Sequence, residues 1–129
     1  MALTWSISHE DKLVTVSIGS MLTLEDVQSC FTEITLAGAI PYRKLVDLTQ
    51  APLLLGAAGI RGITQRVSKV PEGVRWGPAA FVVTSELARE MVATFDHQLG
   101  VDRPLAMFRT REEARAWLLS LPAGDEFIQ

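Results

Sequence analysis

Three times in this chain a short apolar run of strand length is followed by a segment whose apolar residues recur every three or four positions. "KLVDL" at 44–48 precedes Ile60, Ile63, Val67 and Val70; "AAFVVT" at 79–84 precedes Leu87, Met91 and Phe95; "PLAMF" at 104–108 precedes Ala114, Trp117, Leu118 and Leu121. Strand and helix periodicities that alternate in this way imply right-handed crossovers and therefore parallel strands. The continuous apolar run before Thr84 reads as a central strand covered on one face or both.

The N-terminal part has a different grammar. Trp5 to His9 and Leu13 to Ile18 are strand-like and are separated by the polar turn "EDK", which predicts an antiparallel hairpin. Thr23 then precedes Leu24, Val27, Phe31 and Ile34, one apolar stripe of a helix, with Glu25 and Asp26 in its first turn. This helix runs to about Leu36, before Gly38 and Pro41. Thr84 or Ser85 caps the third helix, widened by Ala88, Val92 and Leu99 and ended by Gly100; "TREE" at 110–113 is a capping box for the fourth. Pro71 and Gly73 close the second.

The expected architecture is α/β: a single-domain mixed five-stranded sheet, an N-terminal antiparallel hairpin plus parallel βα units, with four helices. The domain is read as 1–121, and the aperiodic "PAGDEFIQ" at 122–129 as a tail, loose or held by a neighbour. At 129 residues, 48% hydrophobic and 21% charged, the chain suits one domain with a generous core. Its net charge of −3, with Lys and Arg scattered among acids, disfavours a nucleic-acid partner. The longest nearly apolar stretch, Ala51 to Ile60, is about half of a membrane span, and the N-terminus lacks a basic region followed by an apolar run. A soluble, cytoplasmic protein is expected, and the single Cys30 excludes an internal disulfide framework.

The candidate chemistry is sparse. "LLLGAAGIRGI" places Gly56, Gly59 and Gly62 after a strand, where free N–H groups at a helix start can meet an anion. The alternative is close packing: at about 100° per residue Gly56 and Gly59 fall within the arc of Ile60, Ile63, Val67 and Val70, and Gly62 falls outside it. Neither a P-loop nor a full dinucleotide fingerprint accompanies them. Asp47 and Thr49 end a strand, where ligands of parallel sheets bind, or Asp47 caps the following turn through backbone N–H groups. Trp76, beside Arg75 in "PEGVRWGP", is either an exposed anchor or a cover for the sheet end. Arg61 and Arg66 are solvated or meet an acidic partner. Cys30 reads as a small buried hydrophobe, Trp117 and Trp5 as core. His9 and His97 are far apart and belong to no ligand-spaced cluster, so no metal, cofactor or catalytic residue is expected.

"KLVDLT" followed by "GAAGIRGI" resembles the STAS and SpoIIAA-like superfamily, the anti-sigma-factor-antagonist fold. In that family a strand ending Asp-Leu-Ser leads to an Asp-Ser-Ser-Gly-Leu segment; here Asp47, Leu48 and Thr49 match the first, and Gly56, Ala57, Ala58, Gly59 and Ile60 fall on the second. "LAMFRTREEARAWLLSL" resembles the SpoIIAA-like branch through Phe108, Glu113, Ala114, Trp117 and Leu118. The resemblance covers Trp5 to about Leu119 and implies a bacterial, non-enzymatic domain. Ala57 and Ala58 stand where the family keeps its phosphorylatable serine, so the kinase-controlled switch, and with it antagonism of an anti-sigma factor, lacks its hydroxyl there.

The leading expectation is regulatory binding to an unidentified protein partner, or a homo-oligomer such as a dimer. Its surface would be formed by Asp47, Thr49, Gly56, Ala57, Ala58, Gly59, Arg61, Arg75 and Trp76. The alternative is a carrier or sensor of an apolar or anionic small molecule, a lipid among them, at the sheet end or under the helices.

Overall fold

The structure, a computed structural model, describes residues 3–19, 22–50 and 57–124. The chain runs β1 (Leu3–Ser8), β2 (Leu13–Ile18), α1 (Leu24–Leu36), β3 (Arg43–Asp47), α2 (Ala57–Val67), β4 (Ala79–Val82), α3 (Glu86–Leu99), β5 (Leu105–Phe108) and α4 (Arg111–Leu119). The five strands form one mixed sheet in the order β1-β2-β3-β4-β5, antiparallel between β1 and β2 and parallel elsewhere. This is the α/β architecture expected from the strand and helix periodicities.

Because sheet order follows chain order, successive right-handed crossovers place their helices on one side of the sheet. Leu3, Val14 and Val16 pack with Cys30, Phe31 and Ile34 of α1, and Ala79, Phe81 and Val83 pack with Ala88 and Val92 of α3. The chain after β5 covers the other side with α4, where Leu13, Leu45, Ala80 and Val82 meet Ala114 and Leu118. Leu118 is fully buried, which removes enough apolar surface from water to contribute about 2 kcal/mol.

Helix ends follow the local chemistry. The Thr23 hydroxyl accepts from Asp26 N at 3.1 Å and Asp26 Oδ2 accepts from Thr23 N at 3.3 Å, a reciprocal capping box. Of the two candidate caps for α3, Ser85 takes the role, accepting from Ala88 N at 3.1 Å. Gly100 closes α3 with φ 65°.

Four details depart from the periodic reading. First, α2 stops at Val67, because Ser68 to Val70 approach Pro71, which disfavours helical backbone before it; Val70 still packs against the α1 side of the core. Second, Leu87 is 46% exposed, since the buried arc of α3 is built from Ala88, Met91 and Val92 and Leu87 stands about 100° from its centre.

Third, Gly62, outside the expected arc, is a close-approach position: a Cβ there would lie 3.3 Å from Leu24 Cδ1, because α2 is flanked by α1 as well as by the sheet. Fourth, of the segment read as a tail, loose or held by a neighbour, the described residues 122–124 lie against the domain: Ala123 is fully buried and Gly124 N donates to Pro41 O at 2.6 Å.

Candidate functional site

Period-two alternation along β3 divides its side chains between the two layers. Leu45 and Asp47 face α4, while Lys44 and Val46, with Leu48 just beyond the strand, face α1, α2 and α3. On that second side lies a cavity of about 200 Å³. Its described walls include Val16 and Val46 from the sheet, Phe31 from α1, Ile60 from α2, Phe81 from β4 and Met91 from α3. Lys44 and Arg103 also border it, but only through the carbon stems of their side chains, so the surface of the cavity is apolar throughout.

Lys44 is buried, and its Nζ donates to three carbonyls: Ala39 at 3.2 Å, Tyr42 at 2.8 Å, and Ile40. Three donors therefore meet three acceptors. Burial, and secondarily the positive charge of Arg103, push its pKa down to about 7. Arg103 reaches in from the α3–β5 connection with a side chain only 3% exposed. Asp96 Oδ1 stands 3.5 Å from its Nη1, which is an ion-pair distance but longer than a good hydrogen bond, and Nη1 has no hydrogen-bond partner among the described residues. Burial lowers the Arg103 pKa below the usual arginine value, partly countered by Asp96.

The two cations share an aromatic neighbour. Lys44 Nζ lies 5.6 Å, and Arg103 Cζ 5.5 Å, from the centroid of the Trp76 ring, which also stacks on Phe31 with centroids 5.9 Å apart. Trp76 is thus half-buried and lines the cavity. Its backbone is fixed by close approach on both sides. Gly77 N donates to Ile40 O at 3.3 Å, and a Cβ on Gly77 would collide with the carbonyl oxygens of Pro41 and Tyr42. A Cβ on Gly124 would lie 2.7 Å from Trp76 O.

Asp47 belongs to a separate constellation. Its Oδ1 accepts from Thr49 N at 2.8 Å and from the Thr49 hydroxyl at 2.6 Å; its Oδ2 accepts from Arg111 Nε at 2.6 Å, and Arg111 also donates to the Ser17 hydroxyl. Burial raises the Asp47 pKa, but the Thr49 hydrogen bonds and Arg111 together outweigh it and hold the carboxyl below its ordinary value. The turn-capping role is therefore present, with a cation added to it.

Among the described residues, the site residues read from the sequence fall in separate places. Asp47 and Thr49 lie at the carboxyl end of β3 on the α4 side; Trp76 lies before β4, at the opposite end of the parallel strands and on the other side of the sheet, with Arg75 exposed beside it. Ala57 opens α2, Ala58 and Arg61 on it are exposed, and Gly59 is half-buried. Gly56 lies outside the described residues, as does most of the apolar run from Ala51.

Lys44, Arg103 and Arg111 were not singled out from the sequence. For Lys44 there was a signal: it is in phase with Val46 and Leu48, so a strand buried on that face must bury its ammonium. Arg103, in an aperiodic loop, offered none.

Cys30 also lines the cavity, where burial pushes its thiol up to about 12 and leaves it without thiolate character. His9 Nδ1 lies 2.6 Å from the Tyr42 hydroxyl. Among the described residues no three His, Cys, Asp or Glu side chains are grouped to hold a metal, and no helix is long and apolar enough to cross a membrane.

No known family model matches the sequence, and no curated protein matches it. Solved structures do. An uncharacterized protein of the DUF3478 family with a SpoIIAA-like fold, from Shewanella loihica PV-4, superposes with a TM-score of 0.62 at 16% identity, over 91% of this chain and 93% of that one. An anti-sigma factor antagonist from Mycobacterium paratuberculosis superposes with a TM-score of 0.53 at 13% identity, over 90% of this chain and 93% of that one.

Proposed function

We propose that this chain, a domain of SpoIIAA-like fold, is a carrier or sensor that holds a small apolar molecule between its sheet and α1, α2 and α3. The observation that carries the reading is the cavity of about 200 Å³ in the layer where a close-packed core would be expected. Cavities of about 150 Å³ with comparable aliphatic and aromatic linings stay dry and take up benzene. The test is an NMR titration with benzene against the wild type and Ala79→Leu, whose added carbons enter the cavity from β4. Wild-type methyl resonances of Val46 and Met91 shift and saturate, and the variant's do not. Unshifted wild-type resonances at the solubility limit of benzene would sink the reading.

A second reading is protein docking, and two observations favour it: the fold it shares with an anti-sigma factor antagonist, and the exposed Ala58 and Arg61 on α2. Without a hydroxyl at Ala57 or Ala58, docking here would be constitutive and not phosphate-gated. Light scattering tests its simplest form, association with a second copy. A monomer mass at millimolar concentration removes self-association, and an Arg61→Glu change that dissociates a dimer supports it.

A further inference from the structure

We propose that β1 is an interface strand on which a second copy of this chain pairs antiparallel, joining two five-stranded sheets into one about a twofold axis at Trp5. This goes beyond the ligand reading and uses a different surface from the α2 contact.

The two edges of the sheet are built differently. Among the described residues β1 and β5 each pair on one side only, so each presents a row of unpaired backbone N–H and C=O groups. The β5 edge is blunted: the strand has only four residues and is bracketed by Arg103 and Pro104 before it and by Arg109 after it. The β1 edge carries none of these devices. Its "LTWSIS" is six residues long, has no charge, proline or glycine, and keeps an unbroken register with β2, so no bulge turns it away. An edge left this open is a template for another strand.

The side chains of β1 say which strand fits. Leu3, Trp5 and Ile7 lie on the α1 side, Leu3 buried and the other two half-buried, whereas Thr4 and Ser6 point to the opposite side and are exposed. In an antiparallel register centred on Trp5, Leu3 of one copy lies opposite Ile7 of the other, Trp5 opposite Trp5, and Thr4 opposite Ser6. Apolar side chains then meet apolar ones on the helix side and hydroxyls meet hydroxyls on the other, which are the cross-strand pairs that stabilise antiparallel sheets. A shift of one position would set Leu3, Trp5 and Ile7 against hydroxyls. Because the register is symmetric about one residue, it forms a ladder whichever alternate set of N–H groups points away from β2. The half-exposed Trp5 ring at the axis supplies an aromatic anchor, and no charge on the strand opposes the approach of its copy. A foreign strand would have to bring the matching alternation, which this chain already carries.

Sedimentation equilibrium and NMR test the pairing on the full chain. The wild type is expected to pass from monomer to dimer as its concentration rises to about 1 mM, a single strand pair being a small interface. Thr4→Lys and Ser6→Lys alter exposed side chains and place an ammonium on the edge; each should raise the dissociation constant at least about tenfold. Arg61→Glu should leave it unchanged. In a sample mixed from labelled and unlabelled protein, NOEs between copies should connect Leu3 with Ile7 and Thr4 with Ser6.

A monomer at about 1 mM overturns the proposal. So does a dimer indifferent to both lysines, and a dimer lost only in Arg61→Glu would place the contact on α2 instead. Should a lysine variant fail to fold, the NOEs between wild-type copies decide alone, and a dimer without them is not this one.

Discussion

Asp47 and Arg111, 64 positions apart in sequence, meet at 2.6 Å between Oδ2 and Nε and so tie the first turn of α4 to the end of β3. The same carboxylate holds both the backbone and the hydroxyl of Thr49, so it secures a turn and a helix at once. Asp47→Ala should destabilise the fold by about 2 kcal/mol, because it strips three part-buried donors of their acceptor. Arg111→Met should cost less, about 0.5–1 kcal/mol, since the arginine side chain is 49% exposed and its charge is screened. Urea denaturation gives both. The sign with pH follows from a depressed carboxyl: its contribution is present in full above the ordinary value of 3.8 and is lost as pH falls through the lower folded value. Asp47→Asn should therefore flatten the acid limb of the stability curve, and an unchanged limb would remove the ion pair from the account.

Lys44 titrates in the opposite sense from a lysine that gains an anionic partner. Its folded pKa of about 7 lies below the ordinary 10.5, so between these values the unfolded chain binds more protons and stability rises with pH. Facing Lys44 are Arg103, which lowers its pKa further, and three uncharged carbonyls. The slope from one such group is at most about 1.4 kcal/mol per pH unit. The difference in unfolding free energy between the wild type and Lys44→Met, measured at pH 6, 8 and 10, should move in favour of the wild type as pH increases. A constant difference would show that the ammonium keeps its charge throughout.

Two glycines should respond in opposite ways to the same substitution. Gly77→Ala drives a Cβ into the backbone carbonyls of Pro41 and Tyr42, which cannot move without displacing the Trp76 loop; a loss of about 3 kcal/mol or more is expected. Gly62→Ala meets only the end of the Leu24 side chain at 3.3 Å, and the gain in helix propensity of about 1 kcal/mol offsets that contact. Thermal melts should place Gly62→Ala near the wild type and Gly77→Ala well below it.

Cys30 should be inert in the native state. With its thiol pushed up to about 12 and its side chain buried, alkylation by iodoacetamide at pH 8 should be at least about a hundredfold slower than in denaturant. Labelling followed by mass spectrometry measures this, and comparable rates would mean that the α1 side of the core opens readily.

The fold was legible in the sequence because its signals are local. The spacing Val27–Phe31–Ile34, the capping Thr23, the terminating Gly100 and the unbroken run at 79–82 each specify an element without reference to distant residues, and the alternation of strands and helices implies the parallel pairing, whereas the order of the strands in the sheet was not legible. The candidate site was far less legible. Trp76 could be singled out, but its neighbours come from β3 and from the α3–β5 connection, and a loop arginine gives no periodic sign that it turns inward. Asp47 was correctly placed at a strand end and as a turn cap, whereas its Arg111 partner depended on which layer α4 would cover. The inward phase of Lys44 was available in "KLVDL" and is the sequence clue that a polar group enters the larger core.

The division of β3 between two layers also guards the chain against a misaligned sheet. A slip of one position against β2 and β4 would exchange the faces of Lys44, Leu45, Val46 and Asp47 together, sending a carboxylate into the apolar cavity and an ammonium towards Leu118. Neither charge would find its carbonyl cage or its arginine, so each wrong alignment strands two ions in hydrocarbon at the same time. These four residues thereby act as a proofreading element for assembly, and apolar replacements that leave the native packing undisturbed would still broaden the set of misfolded states open to the chain.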